Sequence, residues 1–203
     1  MRYAAGHKEQ TRAKILRAAG RVFRRLGYHA AGVDTVMEEA GLTAGGFYSH
    51  FPSKDALLAE ALAPAAADVG ARLSEGLDGL SARDRVLALI DRYLSPEHRV
   101  GAEDGCPLPA LVSEVARGNA SVKRSFESIL GAGAARFRVE PGEGGPDEGR
   151  ALAIFALCVG GLGVARSVED EALAGKILDA CRDLARQALD PPAPAEAGTR
   201  EGA

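Results

Sequence analysis

Two groups of residues in this 203-residue chain could carry chemistry. The first is Cys106 with His98, a thiol and an imidazole of the types that serve as nucleophile and base. No third residue stands in a recognisable pattern to orient the imidazole, no metal-ligand cluster accompanies the pair, and no glycine-rich phosphate loop follows a strand. No catalytic residue, metal or cofactor is therefore assigned, and an enzyme is the weaker reading. The second group lies in the stretch AAGVDTVMEEAGLTAGGFYSHFPSKDAL, residues 30–57. Two short helices joined by a three-residue turn containing Gly41 have helix-turn-helix geometry. The first helix of such a pair braces the second, which can then lie in the major groove, where each base pair shows a distinct donor and acceptor pattern.

The rest of the chain must position that pair. Ala, Leu, Glu and Arg dominate, aromatics are only 5%, and strand-favouring residues are sparse, so an all-α chain is expected. Residues 1–7 read as a flexible arm, from which Arg2 could reach a minor groove. A first helix is predicted from Lys8 to Leu26, with Ile15, Leu16, Ala19, Val22, Phe23 and Leu26 as its buried stripe and Gly27 as its stop. A second covers Val33 to Ala40. Thr43 is the expected N-cap of a third, Ala44 to His50, and Ser53 of a fourth that starts at Lys54 and meets Pro64. Further helices are expected from Ser81 to Leu94 and over 107–117, 120–138, 147–167 and 169–189. Residues 95–105 read as a loop, PGEGGP at 141–146 as a break, and the tail from Pro191 as disordered.

Charge divides the chain in the same way. Residues 1–54 hold nine Lys/Arg against four Asp/Glu, and residues 55–203 hold sixteen against twenty-four. A basic head on an acidic body suggests a polyanion partner at one end. The arginines of the first helix are chiefly a solvated face, with one or two expected on phosphate. Three cysteines without ligand spacing suit a reducing cytosol, and no N-terminal apolar run resembles a signal peptide, so a cytoplasmic location is expected. The uncharged run 151–165 is short for a membrane span and reads as a buried helix, with no membrane partner.

Residues 8–62 resemble the TetR/AcrR family of transcriptional regulators. The resemblance rests on the basic first helix ending in Phe23-x-x-x-Gly27 and on EAGLTAGGFYSHFPSKDALL. It implies a three-helix DNA-binding domain at 8–62, a helical ligand-binding and dimerisation domain at 63–190, and a repressor released from a palindromic operator by a small-molecule effector. Carried over by position, Thr43 caps the recognition helix and can meet a phosphate. Tyr48, His50 and Lys54 contact phosphates, while Ala44, Gly45, Gly46 and Ser49 face the groove. Phe47 and Phe51 turn inward. This chain departs from the family pattern in placing Ala31 and Gly32 where a capping hydroxyl is common. Its recognition helix also lacks long polar side chains, so DNA shape is expected to carry much of the specificity.

A second resemblance, to the regulatory domain of one branch of the family, covers 105–117 and 159–178. It implies that the last two helices pair with their copies in a homodimer, helped by Gly160, Gly161 and Gly163. The implied effector is a lipophilic or reactive small molecule bound within the bundle. Tyr93, Cys106, Phe126 and Phe155 are the candidate contacts; Phe137 is the remaining aromatic of that region. Cys106 has two readings. It is a small packing residue, or it is a reactive thiol whose thiolate is favoured by a helix N-terminus and by positive charge from His98 and Arg99.

Overall fold

The computed structural model describes residues 5–139 and 146–189, and all regular elements among them are helical. Residues 1–4 of the predicted arm at 1–7, most of the break at 141–146, residue 190 and the tail from Pro191 lie outside the described residues, whereas residues 5–7 of the arm are helical rather than flexible coil. Helix α1 runs from Ala5 to Ala30, and Gly27 breaks it with a φ of 76°, which a side chain would resist. Ile15, Ala19, Val22 and Phe23 are buried as expected, but Leu26 is exposed. Helix α2, Val33–Glu39, starts at Gly32 without a side-chain cap. Gly41, with φ of 70°, turns the chain, and Leu42 N–H donates back to the Met37 carbonyl at 2.8 Å.

The third helix differs from expectation. Ala44–Ser49 is a 3-10 helix, not an α-helix, and Thr43 stands at its N-cap without making a side-chain cap bond. Two adjacent glycines and a missing cap remove the local terms that favour an α-helical turn. Side-chain burial holds the segment in place. Phe47 and Phe51 are fully buried and stack at 5.9 Å.

Helix α3, Lys54–Ser74, is capped by Ser53, whose hydroxyl accepts from Ala56 N–H at 3.1 Å. It passes through Pro64 without interruption and packs on both α1 and α7. Helix α4 is Ala82–Tyr93. The expected loop at 95–105 instead opens with a short helix, α5, Pro96–Val100. Ser95 caps it and Pro96 occupies its first turn, a start signal that the sequence contained. Helices α6 (Pro107–Arg117), α7 (Ala120–Ala135), α8 (Glu148–Arg166) and α9 (Glu171–Gln187) complete the body. One apolar core runs from α1 through α9.

At 19 residues, α8 is longer than the uncharged run alone indicated, and by length and composition it could cross a membrane. One face of it, with Ile154, Phe155, Cys158 and Leu162, is core. Leu152, Ala156, Gly160 and Val164 form an exposed apolar row on the other side. Leu173, Ala180 and Leu184 form a similar exposed row on α9. Of Gly160, Gly161 and Gly163 on α8 only Gly160 is open. A Cβ at Gly161 would meet Cys181 of α9 in the same chain at 2.6 Å, and one at Gly163 would meet Pro109 of α6 at 3.6 Å. The close approach at Gly161 therefore serves packing within the subunit.

Candidate nucleic-acid interface and regulatory cavity

The head presents one polar surface. Thr43, Ala44, Gly45, Tyr48 and Ser49 are exposed on the 3-10 segment, while Gly46 and His50 are half-buried. Tyr48 is 73% exposed. Its ring stands edge-on to the buried Phe47 at 5.1 Å, so the phenol projects outward from a fixed base. The Ser49 hydroxyl donates to the Gly46 carbonyl at 2.7 Å, leaving its lone pairs to accept from a base or water. Burial, with help from the Lys8 and Arg12 charges, holds the His50 pKa below its usual value. Its Nδ1 is buried and unpartnered.

Lys54 opens α3, where the free N–H groups of the first turn and the positive end of the helix dipole favour an anion. In the free protein its ammonium rests 4.3 Å above the Tyr28 ring and donates to the His29 carbonyl at 3.4 Å. The arginines of α1 are mostly engaged inside the molecule. Arg12 lies over the Phe51 ring and pairs with Glu60. Arg21 and Arg25 share Glu39, and Arg24 donates to the Glu103 carbonyl.

Beneath Lys54 lies a polar network that sequence reasoning missed. The Tyr28 hydroxyl donates to Asp55, and Asn119 Nδ2 donates to the other Asp55 oxygen at 2.7 Å. Glu114 of α6 accepts from the backbone N–H groups of Tyr28 (2.7 Å) and His29 (3.4 Å), just past the break at Gly27. Burial and the Asp55 bond push the Tyr28 phenol well above its usual pKa, so it stays a donor. These partners are 27 to 86 residues apart in the chain, and no local signal pairs them. The network ties the body helices α6 and α7 to the residues that seat Lys54.

In the body, Tyr93, Cys106 and Phe155 line one cavity of about 30 Å³ between α3, α4, α6, α7 and α8. Phe137 lines it too; Phe126 does not, lying about two helical turns before Gly133 on α7. Tyr93 meets Phe155 edge-on at 5.9 Å, and Phe155 meets Phe137 at 5.5 Å. A Cβ at Gly133 would fall 2.3 Å from the Phe155 ring, so the glycine is the notch that admits it.

The structure reverses the electrostatic premise for a reactive Cys106. It does precede α6, but it is 4% exposed, and burial pushes its thiol pKa up. His98 supplies no positive charge. Burial brings its pKa down to about 4 despite the bond to the Tyr93 carbonyl. Its Nδ1 lies 2.8 Å from that carbonyl, and its Nε2 accepts from the Cys106 backbone N–H at 3.2 Å. Both ring nitrogens face backbone groups, so the imidazole is not placed to take a proton from the thiol. His98 is a pin holding the turn between α5 and α6 against the end of α4.

The head is thus a helix-turn-helix with an exposed, hydroxyl-rich second element, joined by α3 to a helical body. Residues 15–61 match the family of bacterial regulatory proteins, tetR family. That stretch of the head is therefore similar to the DNA-binding region of tetR-family regulators. It is 32% identical over 104 residues to the uncharacterized HTH-type transcriptional regulator Rv0196 of Mycobacterium tuberculosis, covering 51% of this chain and 52% of that one. It is 32% identical over 108 residues to the uncharacterized HTH-type transcriptional regulator YxaF of Bacillus subtilis, covering 52% and 56%. The chain thus spans about half the length of these relatives. The fold is shared over a longer stretch. The crystal structure of Escherichia coli NemR in its reduced form superposes with a TM-score of 0.71 at 20% identity, covering 91% of this chain and 99% of that one.

Proposed function

We propose that this protein is a homodimeric repressor, held on a near-palindromic operator by the head (residues 8–62) and released when a small molecule enters the body (63–190). The observation that carries this reading is α3. Its first turn carries Lys54, directly after the helix-turn-helix, and three to five turns later the same unbroken helix supplies Ala66, Val69, Gly70 and Leu73 to the cavity wall. A ligand that enlarges a cavity of about 30 Å³ must displace its walls. Displacing α3 moves the residue that grips phosphate and changes the spacing of two heads in a dimer.

The exposed rows Leu152-Ala156-Gly160-Val164 and Leu173-Ala180-Leu184 support pairing of α8 and α9 with their copies through an isologous interface. On the DNA side, Thr43, Tyr48, His50 and Lys54 are the phosphate contacts, and Ala44, Gly45, Gly46 and Ser49 face the groove. On the ligand side, Tyr93, Cys106 and Phe155 line the effector cavity and Phe126 does not. Work on operator DNA, together with three unpaired cysteines, supports a cytoplasmic location.

Footprinting on the DNA upstream of the protein's own gene tests the reading. A two-fold symmetric protected site, bound by a dimer and lost on addition of an effector, is the expected result. A monomer that binds at full strength, or uniform protection without a bounded site, overturns it.

A further inference from the structure

Two donors facing the body cavity have no oxygen acceptor, the polar group beside the first being a thiol, a weak acceptor. Tyr93 Oη is buried without a hydrogen-bond partner in a residue that is 2% exposed. The Cys106 thiol is its polar neighbour and, after burial itself, helps hold the phenol in its protonated, donating form. The second donor is Arg136, at the C-terminal end of α7, whose guanidinium is half-buried against α3. A Cβ on Gly70 would lie 2.3 Å from the Arg136 Cζ, so the planar group fills the space that any other residue at position 70 would take. Among the described residues no carboxylate pairs with it. A guanidinium laid on bare backbone in an apolar wall gives up solvation without gaining an ion pair, which leaves it poised for an anion.

Between the two donors the cavity is aromatic, formed by Phe137 and Phe155. Its about 30 Å³ holds about one water, so a larger molecule enters by lifting Arg136 from the Gly70 notch. We infer that the effector is an aromatic carboxylic acid bearing an oxygen at the end remote from its carboxylate. Its carboxylate pairs with Arg136, its ring packs on Phe137 and Phe155, and its remote oxygen accepts from Tyr93 Oη. The inference rests on the cavity being the effector site. It adds a route for the signal, because the group that the acid draws off is the one seated on α3.

Calorimetric titration of the full-length protein tests this with 4-hydroxybenzoate and 4-hydroxycinnamate, their methyl esters, and the acids lacking the 4-hydroxyl. The hydroxy acids should bind the wild type and release operator DNA. Arg136→Gln should weaken the acids by about 10- to 100-fold and leave the esters unchanged. Tyr93→Phe should weaken only ligands that carry the 4-oxygen, by about tenfold. Arg124→Gln, an exposed change on the same helix, should match the wild type. Unchanged melting temperatures for the variants keep loss of binding distinct from loss of fold. If esters bind as tightly as acids and Arg136→Gln changes neither, the carboxylate assignment falls while the effector cavity stands. If no probe binds and the operator stays occupied throughout, the assignment and the cavity reading fall together.

Discussion

Around Gly45, in the recognition segment, no atom lies within 4 Å of the place a Cβ would take, and at Gly46 the Met37 methyl is at an ordinary 3.6 Å. Around Gly70, Gly133 and Gly161, in the body, a neighbouring side chain already lies within 2.3 to 2.6 Å of that place. The same residue type thus serves opposite ends. In the body, glycine makes notches that admit Arg136, Phe155 and Cys181. At Gly45 and Gly46 of the recognition segment, by contrast, neither backbone angle nor packing calls for glycine, since neither has a positive φ and no Cβ would clash. Close approach of that backbone to DNA, as proposed above, would supply a reason for them that the free molecule does not. The two histidines divide similarly. His98 has both ring nitrogens engaged by backbone, whereas His50 keeps an unpartnered Nδ1.

The comparison can be broken most sharply at Gly133. Gly133→Leu has to displace the Phe155 ring, and overpacking of this kind should destabilise the fold by about 1–3 kcal/mol. Urea unfolding should show a lower midpoint with the slope unchanged. A neutral result would mean that the notch is not filled in solution.

His98 gives the next effect. Its Nε2 must stay unprotonated to accept from Cys106 N–H. Its folded pKa, about 4, lies below the ordinary 6.5. The unfolded chain therefore takes up a proton first as the pH falls. The contribution of His98 is fully present above about pH 6.5 and is lost as the pH drops towards 4, on the order of 2 kcal/mol. Urea midpoints at a series of pH values should fall over that window, and less steeply in His98→Gln. Equal slopes in the two proteins would remove His98 as the pin.

Lys54→Ala should weaken binding to all DNA sequences alike, by about tenfold at moderate salt. The slope of log affinity against log salt should fall by about one for each phosphate that is no longer neutralised, and a dimer carries two such lysines. A shift in base preference at constant slope would place Lys54 at the bases. The smallest effect is the most discriminating. Gly45→Ala should raise the stability of the free protein by up to about 1 kcal/mol and lower operator affinity. If it raises stability and leaves DNA binding intact, the bare surface is not pressed against DNA.

Much of the scaffold was legible because its signals are local. Proline after Cys106 and Gly118 after Arg117 bound α6 at the predicted residues. Ser81, Asp147 and Asp170 cap the helices that follow them. Gly27 and Gly41 take the positive φ expected of chain breaks. The misses have a different character. The Ser95-Pro96 start of α5 was readable but hidden in a segment rich in loop residues. The 3-10 form of Ala44–Ser49 follows from a balance between weak local propensity and the burial of Phe47 and Phe51, which no window of sequence contains.

The sequence by itself determined the all-helical class, the helix-turn-helix and its hydroxyl and lysine positions, because periodicity, caps and glycine turns act over a few residues. Only the tertiary structure decided that Gly161 packs inside the subunit and that Cys106 is a buried thiol whose pKa burial raises. It alone excluded Phe126 from the cavity, set Arg136 against Gly70 and joined Tyr28, Asp55, Glu114 and Asn119. Burial and desolvation are sums over neighbours from distant parts of the chain. They can raise the pKa of a helix-terminal thiol that the helix end alone would lower, and leave a phenol without a strong acceptor, and neither outcome is written in the residues beside it.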